Sequence, residues 1–118
     1  MADLAQATLL RIFIGDDDTY ADDAHGEQPL YEAIAVKARE RMMNGLTVSR
    51  GIVGFGPSSQ REKILLRRSE DRPVVIEIVD TEAKIESFLP VLAGMIRSGL
   101  AVIEKVKAVR YGPSVANS

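Results

Sequence analysis

Pro73 to Val79, with the sequence PVVIEIV, constrains the fold of this chain more than any other stretch. Val74, Ile76 and Ile78 fall on one face of a strand, and Val75, Glu77 and Val79 on the other. A strand that is apolar on both faces has to be covered on both. Thr8 to Ile14 has the same property: Leu10, Ile12 and Ile14 share one face, and Leu9, Arg11 and Phe13 the other. Two further strands are expected. Leu46 to Phe55 is interrupted by Gly51 and Gly54, which mark a bulge or a close approach by another backbone or a ligand. Leu100 to Tyr111 carries Glu104 on an otherwise apolar phase.

Two helical periods separate these strands. The spacing predicts a helix from Pro29 to Asn44, with Pro29 in the first position and Gly45 as the stop. Leu30, Ile34, Ala38 and Met42 form its inward stripe, and Tyr31 and Met43 read as flanking residues. A second helix follows a cap at Asp80 or Thr81 and is expected to reach about Ser98. Its buried stripe is Ile85, Phe88, Leu89, Leu92 and Ile96. Pro90 predicts a bend or a break near Glu86–Phe88, because an interior proline removes a backbone hydrogen bond.

The order is therefore strand, helix, strand, strand, helix, strand. It specifies an α+β, ferredoxin-like βαββαβ sandwich: an antiparallel four-stranded sheet with both helices on one face. One domain over residues 8–112 accounts for the 118-residue chain, with 1–7 and 113–118 as flexible termini. Leu9, Phe13, Val53, Phe55, Val75, Val79, Ile103 and Val109 are expected on the sheet face that the helices leave open. Self-association is the simplest way to cover it.

Composition removes several function classes. The net charge of −2 offers no global attraction to nucleic acid or an anionic membrane. No cysteine is present, which excludes disulfides and thiol chemistry and fits a cytoplasmic setting. No apolar run reaches the roughly 20 residues of a membrane span, and the N-terminal residues lack the pattern of a signal peptide. An enzyme is not expected: there is no G-x-S-x-G elbow, and the single His25 has no evident serine partner.

Two stretches carry candidate chemistry. Gly15 to Gln28 holds Asp16, Asp17, Asp18, Asp22, Asp23 and Glu27 without a lysine or arginine. It reads as a solvated loop with His25 on its surface. The alternative is a site for a hard divalent cation across residues 16–27, although the spacing does not match an EF-hand. The second stretch is the insert between the two middle strands. Its GFGPSS segment can turn backbone N–H groups and two hydroxyls toward an anion. Arg50, Arg61, Lys63, Arg67, Arg68, Arg97 and Arg110 supply positive charge, and the guanidinium fork suits phosphate. The same insert also reads as a hairpin turn with a solvated basic face, in which Ile64, Leu65 and Leu66 extend the strand or dock on a partner.

The segments PLYEAI, RGIVGFG and PVVIEIVD, together with GLAVIEKVKAVRYG, resemble the domain-of-unknown-function 190 family, whose members are PII-like. The likeness covers roughly Leu9 to Gly112. It implies a ferredoxin-like fold, a homotrimer with the sheets at its centre, and a small effector held in clefts between subunits. That effector is usually an adenine nucleotide. The loop at 56–72 corresponds to the PII loop that contacts partner proteins. The turn before the last strand is only RSGLA here, shorter than the basic phosphate-holding loop of PII proteins, which favours AMP or ADP over ATP. The implied binding residues are Arg50, Gly51, Gly54, Phe55, Gly56, Ser58, Ser59, Arg97 and Arg110. The acidic 16–27 stretch remains the alternative, as in related trimeric ion-tolerance proteins.

Overall fold

The computed structural model describes residues 4–51 and 72–112. The chain forms β1 (Leu4–Gly15), β2 (Thr19–Asp22), β3 (Gly26–Pro29), α1 (Leu30–Glu40), β4 (Thr47–Arg50), β5 (Pro73–Asp80), α2 (Glu82–Ala93) and β6 (Leu100–Val109). Among the described residues, four strands make one antiparallel sheet in the order β4-β5-β1-β6, and β2 pairs with β3 in a separate hairpin. This is the expected ferredoxin-like sandwich with a small hairpin added ahead of α1.

Register explains the layering. Leu10 faces Ile78, and Ile12 faces Ile76. These residues are fully or almost fully buried together with Val74, Ile34, Ile85 and Phe88. They form one core between the sheet and the helices. The stripe Leu30, Ile34 and Ala38 of α1 is buried, as is Ile85, Phe88 and Leu92 of α2, while Leu89 and Ile96 pack partly against it.

Several boundaries differ from the sequence reading, each for a local reason. β1 begins at Leu4 rather than Thr8, because its first residues find partners on β6, with Leu4 opposite Val109. The acidic stretch is not a bare loop but folds in part as the β2–β3 hairpin, with Gly26 in the left-handed region at φ 68°. Helix α1 stops at Glu40 rather than Asn44. Met42 takes φ 59°, Met42 N–H donates to Arg39 O, and Met43 N–H donates to Ala38 O. That pair of bonds is a Schellman closure. It turns Met42 out of the expected core stripe, leaving it 78% exposed. Lys84 Nζ then reaches from α2 to the carbonyl oxygen of Met42, at 2.6 Å.

Helix α2 starts where expected, with Thr81 Oγ1 accepting from Lys84 N–H. It runs unbroken through Pro90 and closes at Gly94, short of Ser98. The proline lies in the last turn on the solvent side, and the Glu86 carbonyl it deprives of an N–H is on an exposed residue. A carbonyl on this exposed side is open to water, so the lost bond does not require the helix to break.

On the open face of the sheet, Leu9, Phe13, Val75 and Val79 stand as expected. Ile103 and Val109 do not: they lie opposite Leu10 and Leu4 and so share the helix-side phase. Their place is taken by Leu100 (52% exposed) and Val102 (37% exposed), opposite Phe13 and Arg11. Val53 and Phe55 lie outside the described residues. Arg11 crosses the middle of this face to Glu77, with Nε 2.8 Å from Oε2, and its Nη1 is 4.0 Å from Glu104.

Candidate functional site

Arg50 is the last residue of β4 and points to the helix side of the sheet. Its Nη2 donates to Asp16 Oδ1 at 2.9 Å and to the Tyr31 hydroxyl at 3.1 Å. The guanidinium carbon also lies 5.3 Å from the centre of the Tyr31 ring. The bond to Asp16, then that to Tyr31, holds the guanidinium still more firmly protonated than usual. Asp16 is fixed in turn by its own N–H, which donates to Arg72 O at 2.8 Å. Gly51 follows Arg50 and donates to Pro73 O at 2.8 Å. A Cβ at Gly51 would meet the Pro73 ring at 2.8 Å, so a side chain here would force the ring or the backbone to shift.

Arg97 lies at the same end of the sheet, in the turn before β6. With Ser98, Asp17, Asp18, Thr19, Leu30 and Met95 it lines a cavity of about 350 Å³. Gly99 holds this turn against β1: a Cβ there would come 2.9 Å from the Phe13 carbonyl oxygen.

Arg110 is elsewhere. Arg50 faces Val74, which faces Ile14 near the end of β1, whereas Arg110 follows Val109, which faces Leu4 at its start. The ten residues between Leu4 and Ile14 span roughly 33 Å at the usual strand rise. Arg110 lines a second cavity of about 390 Å³ with Ala5, Ala7, Val79, Val109 and Asn44. Asp80 anchors its wall, accepting from Asn44 N–H and Thr81 N–H, both at 2.7 Å. One chain thus carries Arg50 and Gly51 on the β4 edge and Arg97 on the β6 edge of the same end of the sheet, and Arg110 at the other end. Gly54, Phe55, Gly56, Ser58 and Ser59 lie outside the described residues, as does the loop from 56 to 71.

Asp16, Asp18 and Asp22 are engaged within the protein's own structure. Asp16 pairs with Arg50, and Asp18 Oδ2 accepts from Gly15 N–H at 3.0 Å. Asp22 Oδ1 accepts from His25 N–H at 2.7 Å and lies 3.2 Å from the His25 ring nitrogen Nδ1. The backbone bond from His25 is the main cause holding the Asp22 carboxyl below its ordinary range. Among the described residues, no three histidines, cysteines or carboxylates gather as metal ligands. No described helix is long and apolar enough to cross a membrane.

Sequence reasoning missed Tyr31 and Asp16 as partners of Arg50, and Asn44 and Asp80 beside Arg110. A signal existed for Tyr31, which sits inside the PLYEAI segment that carried the family resemblance. Asn44 and Asp80 become neighbours only through tertiary packing.

The model of the family described as DUF190, Uncharacterized ACR, matches residues 7–108. The chain belongs to the DUF190 family. A UPF0166 protein of Aquifex aeolicus is 35% identical over 102 residues, covering 86% of this chain and 91% of that one. A UPF0166 protein of Methanocaldococcus jannaschii is 31% identical over 101 residues, covering 85% and 89%. Among solved structures, a PII-like signaling protein from Thermus thermophilus superposes with a TM-score of 0.59 at 16% identity, covering 90% of this chain and 92% of that one. CPII from Thiomonas intermedia K12, solved with ADP and bicarbonate, gives a TM-score of 0.57 at 16% identity, covering 92% and 93%. These likenesses establish that this DUF190 member shares the ferredoxin-like fold of those PII-like proteins.

Proposed function

We propose that this protein is a cytoplasmic, non-enzymatic PII-like regulator: one domain over residues 8–112 that assembles as a homotrimer and binds an adenine nucleotide between subunits. The observation that supports this most is the separation of two unlike half-sites. Arg50 and Gly51 on one sheet edge, with Arg97 on the other edge of the same end, offer charge and a close backbone approach, which suit phosphate. The cavity beside Arg110 is lined in part by the apolar Ala5, Ala7, Val79 and Ala108, which suit the face of a base. A nucleotide is far shorter than the sheet, so it meets both only where the Arg110 end of one subunit abuts the Arg50 end of the next. The apolar open face of the sheet supports the assembly that this needs.

CPII, which shares the fold, was solved with ADP, AMP and bicarbonate, and that precedent supports the choice of nucleotide. AMP or ADP is favoured over ATP, because the RSGLA turn is short and offers only Arg97 as a basic residue. The loop at 56–72 is the proposed arm for a partner protein. Titration calorimetry with AMP, ADP and ATP tests the reading. Saturable heat from AMP or ADP, with ATP weaker, is expected; silence from all three contradicts it.

A further inference from the structure

Arg50 does not wait for a ligand unengaged. A hydrogen bond to the Asp16 carboxylate, one to the neutral Tyr31 hydroxyl and the face of the Tyr31 ring hold its guanidinium. Its side chain is nevertheless 43% exposed, against 22% for Asp16. The ligand-facing residue is therefore open to solvent, while its internal carboxylate sits behind it. Asp16 is kept there by the backbone bond to Arg72 O, independent of its side chain.

We propose that Asp16 is an internal competitor for the anion that Arg50 takes up, and that Tyr31 is the residue that keeps the guanidinium positioned when Asp16 is displaced. The inference rests on the reading of Arg50 as a phosphate ligand and specifies how that position is regulated. Any anion at Arg50 exchanges one charge-assisted bond for another, so its net gain is smaller than at an unpaired arginine. Simple carboxylates gain almost nothing by replacing a carboxylate. A phosphate gains more, through its higher charge and its match to the guanidinium fork. The clasp thus filters ligands by anion class. The ring contact does not depend on Asp16, so the guanidinium keeps one anchor throughout the exchange.

Calorimetry with AMP on the full chain tests this with five proteins: wild type, Asp16→Asn, Tyr31→Phe, Arg50→Gln and the Asp16→Asn/Arg50→Gln double variant. Asparagine keeps the shape and an acceptor oxygen but removes the charge. Asp16→Asn is expected to tighten AMP binding roughly two- to fivefold, the scale of an exposed ion pair. Tyr31→Phe keeps the ring and is expected to change affinity less than Asp16→Asn does. In the Arg50→Gln background the Asp16→Asn effect is expected to vanish, because the two residues act as one unit. Unchanged or weaker AMP binding by Asp16→Asn overturns the proposal. So does an Asp16→Asn effect of equal size without Arg50, which would be a structural effect of the turn. If wild type itself gives no heat with AMP or ADP, the nucleotide reading falls, and this inference falls with it.

Discussion

Arg50 and Arg110 stand at opposite ends of the same sheet, one beside the Ile14 end of β1 and the other beside Leu4. No motion that keeps the sheet intact brings them together within one chain. Any ligand that uses both therefore belongs to a contact between chains, and this requirement can be tested by mixing.

Arg50→Gln and Arg110→Gln should each weaken ADP binding by at least roughly tenfold, the loss of one charged hydrogen bond to phosphate. Refolding the two variants together should restore tight sites, because each mixed trimer contains one boundary with both arginines intact. Calorimetry of the mixture, set against the separate variants, reads the recovery directly. A mixture no better than its components places both arginines in the same subunit's site or in none.

The open sheet face gives a second test. Phe13 faces Val75 on one side and Leu100 on the other, in an apolar patch next to the Arg11–Glu77 pair. Phe13→Glu should shift the assembly toward monomer by roughly 100-fold or more in dissociation constant, since an unpaired charge would be buried in the contact. The side chain is outside the main core, so the monomer should keep its circular dichroism spectrum. Sedimentation velocity distinguishes the two states.

Met42 is a non-glycine residue at φ 59° in the closure of α1. Met42→Gly should raise stability by about 0.5–1 kcal/mol, because glycine adopts this conformation without the Cβ clash and the exposed methionine side chain contributes little packing. Urea denaturation with an unchanged m-value checks it. A loss of stability would mean that methionine packs usefully at this corner.

Asp22 is held below its ordinary value of 3.8, first by the backbone N–H of His25, against an opposing effect of burial, and then by the imidazole. Its folded-state value is depressed, so its stabilising contribution is present above the ordinary carboxylate range and is lost as pH falls through the depressed value. Carbon-detected NMR titration should find this midpoint low. His25→Ala should leave most of the depression in place, because the backbone donor survives the substitution. A return to the ordinary value would assign the effect to the ring.

The fold was legible because strand periodicity and core register agree. Leu10, Ile12, Ile14, Val74, Ile76 and Ile78 follow the period-two pattern and are all buried. Termini of elements were less legible because they depend on backbone closure. The Schellman bonds at Met42 and Met43 have no side-chain signature when the left-handed residue is not glycine. β6 misled the assignment of faces for a related reason: it is an edge strand with exposed apolar residues on both phases, so Ile103 and Val102 look equivalent until β1 sets the register. The candidate site divides in the same way. Arg50, Gly51 and Arg97 could be picked out by residue type and position. The clasp between Arg50 and Asp16 could not, because 34 residues separate them and the acidic stretch looked uniformly solvated.

Whether three chains share nucleotide sites at their boundaries is read out by native mass spectrometry during an ADP titration. A trimer is expected whose mass rises in ADP steps to a maximum of three. A monomer that carries ADP, or a trimer that carries none at any ADP concentration, would contradict it.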